Sequence, residues 1–284
     1  MIRLDITEFI SAAGIGMSRR GDIVSDISAG LIDDVKEVFP EFSEVNNLYR
    51  ILSKVVEKDK RKIVVIIDEW DALIREYSDN SVIQKRYFEF LRGFFKNSSF
   101  TSECIAAAYM TGILPIKKIR SQSAISDFME ITALNPGKFA RYIGFDENDI
   151  KSICEKYGMD FEKMKWRYDG YTFGNVSQIY NPYSVMNAVE FEKFGSYWRK
   201  TSAVDLLTEY IDMNYDGLQE DIIRLVKDEE ISVETADYQN DFKNFVTKDD
   251  VLTLLIHLGC LTYDPDTGLA HIPNEEYAPN SAVC

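Results

Sequence analysis

Apolar and polar residues alternate over residues 1–6, MIRLDI, with the two-residue period of a short strand. A glycine-containing stretch, SAAGIGMSRRGD, follows and reads as a loop. Leu31, Ile32, Val35, Val38 and Phe39 then fall on one stripe of an amphipathic helix, which Pro40 ends. The same spacing returns in Leu48, Ile51, Leu52, Val55 and Val56. Ile63–Ile67 is apolar on both faces, the signature of a strand in a parallel sheet covered by helices on each side. Tyr87, Phe88, Leu91, Phe94 and Phe95 mark another helix. CIAAAYM, residues 104–110, reads as a further buried strand, although its three alanines also suit a helix. The order strand, helices, strand, helix, strand is the βαβ pattern. It predicts an α/β fold whose three strands lie parallel in one sheet, 63–67 beside 104–110, with right-handed crossovers.

After about residue 135 helix signals dominate. Asp146 is placed as an N-cap before Ile150, Ile153, Cys154 and Tyr157, with Gly158 as the stop. Asn181 takes a cap position and Pro182 the first helical one. AVDLLTEYI and GLQEDIIRLV read as two short helices. Thr247 and Asp250 have the spacing of a capping box, ahead of Val251, Leu252, Leu254, Leu255 and Leu258, with Gly259 as the end. CLTYD, PDTG and LAHI then spell a β-hairpin, and helix followed by hairpin is the shape of a winged-helix end.

Composition narrows the classes. The 284 residues are 45% hydrophobic and 28% charged, enough for two compact units. The formal net charge of −15 repels a nucleic-acid backbone except where basic residues cluster. Cys104, Cys154, Cys260 and Cys284 form no CxxC pair, and three sit in apolar runs, so a reduced, cytoplasmic setting is expected. His257 and His271 have no ligand spacing for zinc. No apolar run reaches the roughly 20 residues of a membrane helix, and the N-terminus lacks the apolar core of a signal peptide. It reads as a strand cut close to its beginning.

The candidate chemistry lies in KIVVIIDEWDAL, residues 62–73, where a strand runs into Asp68 and Glu69. Ligands of open α/β sheets sit outside the carboxyl ends of the strands. An Asp there can hold Mg²⁺ through water and an adjacent Glu can polarise the attacking water of a phosphoryl transfer. The equally weighted alternative is an acidic turn with Glu69 and Asp71 merely solvated. In AAYMTGILPIKK, Thr111 leaves the next strand, where a hydroxyl can sense a γ-phosphate or position water. Lys117, Lys118 and Arg120 can offer positive charge to phosphate oxygens, or form a solvated basic loop. WRYDGYTFGNVSQIYNPYSV, residues 166–185, carries six aromatic residues that can stack a base, and reads better as an irregular segment pinned to the core.

IVVIIDEWDALIRE, FLRGFFKN, AYMTGILPIKKIRSQSAISDFMEITALNP, RYDGYTFG, YNPYSV and DVLTLLIHLGCLTYD together resemble the bacterial predicted AAA-ATPase-like family. The resemblance implies a parallel-sheet P-loop NTPase core of AAA+-like type, a helical lid and a winged-helix-like end, with ATP and Mg²⁺ as cofactors. Asp68 and Glu69 fall on the Walker B acids, Asp68 as the metal residue and Glu69 as the catalytic one. Thr111 falls on the sensor position, and Lys117, Lys118 and Arg120 lie near the phosphates. Family members carry an upstream strand with a Gly-Lys-Ser/Thr loop and usually a C-terminal restriction-like nuclease domain. This chain is expected to start after that loop and to stop before the nuclease, since GIGMSRRGD is no substitute for it. The division expected is an incomplete α/β core over 1–138, a lid region over 139–240 and a winged-helix-like element over 241–284. Three readings stay open. The first is an ATPase module that is catalytically incomplete as given, binding nucleotide weakly or not at all and completed by an N-terminal segment or another chain. The second is a non-catalytic interaction module on the same scaffold. The third and weakest is a DNA-binding winged helix, disfavoured by Asp249 and Asp250 beside Lys248 at the start of its recognition helix.

Overall fold

The computed structural model describes residues 1–14, 22–113, 127–198, 215–235, 245 and 247–277. The chain divides into two compact units, Met1–Met129 and Glu130–Cys284.

In the first unit, β1 (Ile2–Asp5), β2 (Ile63–Asp68) and β3 (Ile105–Met110) form one parallel sheet in the order β1-β2-β3. Ile2 pairs with Val65 and Asp5 with Asp68, while Ile67 pairs with Met110. The parallel order and the β2–β3 adjacency expected from sequence are therefore present, and CIAAAYM is a strand from Ile105 onward. Cys104 closes a short helix instead, α6 (Ser98–Cys104). Between the strands run α1 (Ile6–Gly14), α2 (Ile23–Val38), α3 (Leu48–Asp59), α4 (Ala72–Glu76) and α5 (Ser81–Phe95). Asp22, Asn47, Asn80 and Asn97 each cap a helix by accepting a backbone N–H of its first turn. The loop expected from Ser11 onward is helix as far as Gly14, because α1 follows β1 directly, and the rest of that stretch up to Gly21 lies outside the described residues. Asp5 accepts the backbone N–H of Thr7 at 3.0 Å and its hydroxyl at 2.5 Å, so the strand's last residue starts the helix.

The helices pack on one face of this sheet. Val65, Ile67, Tyr87, Leu91 and Phe94 are fully buried there. A side chain of that kind contributes about 2–3 kcal/mol by leaving water. On the opposite face Val64 and Tyr109 are 38% and 62% exposed. The two-sided apolarity of β2 predicted helices on both faces, and the described helices cover one.

In the second unit, α7 (Glu147–Tyr157) begins at a full capping box between Asp146 and Asp149 and ends at Gly158, whose φ is 69°. Helix α8 (Phe161–Tyr168) follows, and α9 (Pro182–Glu190) starts at the Asn181 cap with Pro182 in its first turn. Helix α10 spans Leu218–Val226, and α11 (Lys248–His257) opens with reciprocal bonds between Thr247 and Asp250. AVDLLTEYI, residues 203–211, lies outside the described residues, as does Cys284. The predicted hairpin is β7 (Thr262–Asp264) and β8 (Leu269–His271), antiparallel, with β6 (Ile231–Ser232) on the other edge of β8.

The aromatic segment is more ordered than an irregular loop. It contains the antiparallel pair β4 (Tyr171–Phe173) and β5 (Val176–Ile179). Its Tyr168, Tyr171 and Tyr180 are buried, which agrees with the packing reading, whereas Trp166 lies exposed. Gly170 is needed here. Its φ is 126°, and a Cβ would stand 1.7 Å from the carbonyl oxygen of Pro273. The segment that follows β8 also delivers Glu276, fully buried, whose Oε1 accepts the N–H groups of Tyr197 (2.6 Å) and Trp198 (2.8 Å) and the Ser184 hydroxyl (3.0 Å). Cys104, Cys154 and Cys260 are free, buried thiols.

Candidate functional site

Parallel pairing puts the ends of β2 and β3 at one edge of the sheet, and the ladder continues past both strands. Thr111 donates its N–H to the Ile67 carbonyl at 3.0 Å, and Trp70 donates to the Thr111 carbonyl at 2.9 Å. This register sets the Thr111 side chain against the acids. Its hydroxyl donates to Asp68 Oδ1 in a short hydrogen bond and accepts the Glu69 N–H at 3.4 Å. The three residues singled out from the sequence thus meet at one place. Lys117, Lys118 and Arg120 lie outside the described residues.

Glu69 stands at φ 50°, the left-handed region that a non-glycine residue enters only when its surroundings hold it there. The next two residues supply that hold. Trp70 is buried, and its carbonyl accepts the hydroxyl of the fully buried Tyr87 at 2.8 Å. Asp71 is wholly buried, correcting its reading as a solvated acid. Its Oδ1 accepts the Ile113 N–H at 3.2 Å and its Oδ2 the Arg75 Nε–H at 3.1 Å. Asp71 therefore ties the loop after β2 to the loop after β3. Gly112 makes room for this tie, since a Cβ there would fall 2.4 Å from Asp71 Oδ1 and 2.6 Å from the Trp70 ring. Arg75 also donates to Glu69 Oε2 at 2.6 Å.

The electrostatics follow from this crowding. Burial pushes the Glu69 carboxyl above the ordinary glutamate value; Arg75 opposes that, and Asp71, Asp68 and Asp5 add to it. Asp5 sits across from Asp68 in the β1–β2 register and is held below the usual carboxylate range, chiefly by the Thr7 hydroxyl. The sequence reading passed over Asp5 and Arg75, and gave Asp71 no part beyond that of a solvated acid. The Asp71–Arg75 spacing of four residues was the available signal for the ion pair.

Among the described residues, no three His, Cys, Asp or Glu side chains are gathered as a metal-binding group. The donors at the strand ends are all oxygens, the type a hard cation takes. Mg²⁺ usually keeps several waters and uses one or two carboxylates, and Asp68 with its neighbours meets that modest requirement. Among the described residues, no helix is long and apolar enough to cross a membrane.

Comparison with known proteins agrees with this part of the chain. A family model described as a predicted AAA-ATPase matches residues 22–120, which include β2, β3, Asp68, Glu69 and Thr111. No curated protein and no solved structure matches the chain. Over the matched span, under half of its length, the chain is similar to that predicted AAA-ATPase family.

Proposed function

We propose that the sheet end is the magnesium-and-water half of a nucleoside triphosphatase site of AAA-ATPase-like type. The observation that carries this is the hydrogen bond from Thr111 to Asp68 beside Glu69, on adjacent strand ends inside the matched span. Asp68 would hold hydrated Mg²⁺, which supplies neutralisation of phosphate charge when bound. Thr111 fixes the orientation of the Asp68 carboxylate. Glu69, with its raised pKa, is suited to polarise a water molecule once Arg75 releases it. Phosphate itself needs cations and amides, and the 284 residues hold no Gly-Lys-Ser/Thr loop. In our reading that cradle comes from another chain or from sequence outside these residues. The outer edge of β3 suits its arrival. Among the described residues nothing pairs there, the strand IAAAYM has no charge or proline to guard it, and a parallel strand added there would end beside Thr111. We read α11 with the β7–β8 hairpin as the winged-helix-like end.

A second reading is a non-catalytic interaction module, favoured by one observation: Glu69 is engaged by Arg75 at 2.6 Å. Calorimetry with Mg-ATP and a phosphate-release assay separate the two. The 284-residue chain alone should bind nucleotide weakly and turn over none. Losing one well-placed donor costs about 10²–10³ in rate, and several are missing. A longer protein carrying a Gly-Lys-Ser/Thr segment should bind and hydrolyse, and Glu69→Gln should abolish hydrolysis while sparing binding. If the longer protein binds no nucleotide, the interaction module stands. Submicromolar binding by the short chain would mean that the cradle lies within it.

A further inference from the structure

A pocket of about 270 Å³ opens in the second unit, well separated in sequence from the acids of the first. Its walls are aromatic and aliphatic, with Tyr171, Phe173 and Trp198 beside Ile143, Ile179 and Ile256 in the lining. The aromatic walls are fixed. The Tyr171 hydroxyl donates to the Gly259 carbonyl at 2.8 Å, and Trp198 Nε1–H donates to the Leu258 carbonyl at 3.2 Å. Tyr171 and Phe173 lie parallel, 6.1 Å apart, on one side of β4, and Tyr183 meets the Trp198 ring edge-on at 5.8 Å. A pocket with hydrogen-bonded walls does not have to be ordered when a ligand arrives, which favours binding.

Size and charge narrow what it takes. A cavity of about 150 Å³ with apolar walls holds a benzene ring, so this one has room for two fused rings. Among the described lining residues there is no Asp, Glu, Lys or Arg. A charged ligand would lose its hydration there without a counter-ion. His257 is the one lining residue that titrates near neutrality, and burial lowers its pKa to about 4, so the imidazole is neutral. It gives the pocket a polar edge without a charge. Asn181, also in the lining, spends its amide oxygen on the N–H groups of Tyr183 and Ser184 at the start of α9.

We infer that this pocket binds a small, uncharged, fused-ring aromatic compound against its aromatic walls. The probe is indole, with indole-3-acetate as its anionic counterpart, measured by calorimetry and ligand-observed NMR on the full chain. For nine heavy atoms a dissociation constant on the order of 0.1 mM is expected. Indole-3-acetate should bind at least tenfold more weakly. Ala133 lines the pocket and is half-buried, so Ala133→Phe fills it from the side; Ile143, at 37% exposure, allows Ile143→Phe as a second block. Each should weaken indole at least tenfold, with a thermal midpoint no lower than the parent's. If Ala133→Phe fails to fold, Ile143→Phe decides alone. The proposal is overturned if indole shows no saturable binding, if a folded filled variant binds it as well as the parent does, or if indole-3-acetate binds equally.

Discussion

Replacing Asp71 tests whether the loop after β2 is held as the structure indicates. In Asp71→Ala, Arg75 loses a wholly buried partner at 3.1 Å and the Ile113 N–H loses its acceptor at 3.2 Å. Removing one member of a buried ion pair costs about 3–5 kcal/mol. The Arg75 side chain is 19% exposed and retains Glu69, so the lower part of that range, about 3–4 kcal/mol, applies. For a unit the length of Met1–Met129, unfolding entropy is roughly 0.27 kcal/mol/K, which converts the loss into a fall of about 11–15 °C in its midpoint. Asp71→Asn keeps the shape and one acceptor but loses the charge-assisted bond, for about 1.5–3 kcal/mol and a fall of about 5–11 °C. Differential scanning calorimetry with urea titrations at pH 7 reads both. A midpoint within 3 °C of the parent in Asp71→Ala would refute the claim that Asp71 fastens the two strand ends.

Tyr87→Phe removes the donor to the buried Trp70 carbonyl and should cost about 1–2 kcal/mol, read as a lower urea midpoint with unchanged slope. Glu69→Gly and Glu69→Ala both delete the carboxylate, but only glycine is at ease at φ 50°. The glycine variant should be the more stable by about 0.5–1 kcal/mol in urea, and the opposite order would remove the strain argument. His257 has a folded pKa lowered to about 4 from 6.5, so its stabilising contribution is complete above pH 6.5 and is lost as pH falls toward 4. At most about 3 kcal/mol is at stake; denaturant midpoints for His257→Gln should fall less over that window, and parallel curves would contradict the burial of the ring.

How much of this was legible in sequence depended on where each interaction lies. Strands and helices whose apolar residues recur on one side within a few positions were read with the right type, although α2 and α5 begin at Ile23 and Ser81, well before the stripes that start at Leu31 and Tyr87. Short-range caps were equally readable: Asp146 with Asp149, Asn181 with Pro182, Thr247 with Asp250. Helix α1 was missed because no linker separates it from β1. Its signal was nevertheless present as Asp5 with Glu8 three residues on, a carboxylate at a helix start and a second acid in the first turn. The hairpin within the aromatic segment was hidden for another reason. Tyr and Phe there follow contacts that come from far along the chain, such as Pro273 over Gly170, and no local period reports them.

At the site, the same division separates what a residue is from what holds it. Asp68, Glu69 and Thr111 could be placed together because a parallel register joins strand ends in a fixed way. Most of their support could not, because Tyr87 and Ile113 act on Trp70 and Asp71 across 17 and 42 positions of sequence, and only the Asp71–Arg75 pair, four apart, left a local signal. The support bears on function more than on stability alone. A glutamate held in a left-handed backbone conformation, and followed by a buried tryptophan and a buried aspartate, has little freedom to move its main chain. Any release from Arg75 must then be a side-chain rotation, and the carboxylate would swing about a fixed point next to Thr111. For the triphosphatase site we propose, such an arrangement would require no rearrangement of the strand ends on nucleotide binding, and the part left to supply would be the one that neutralises phosphate.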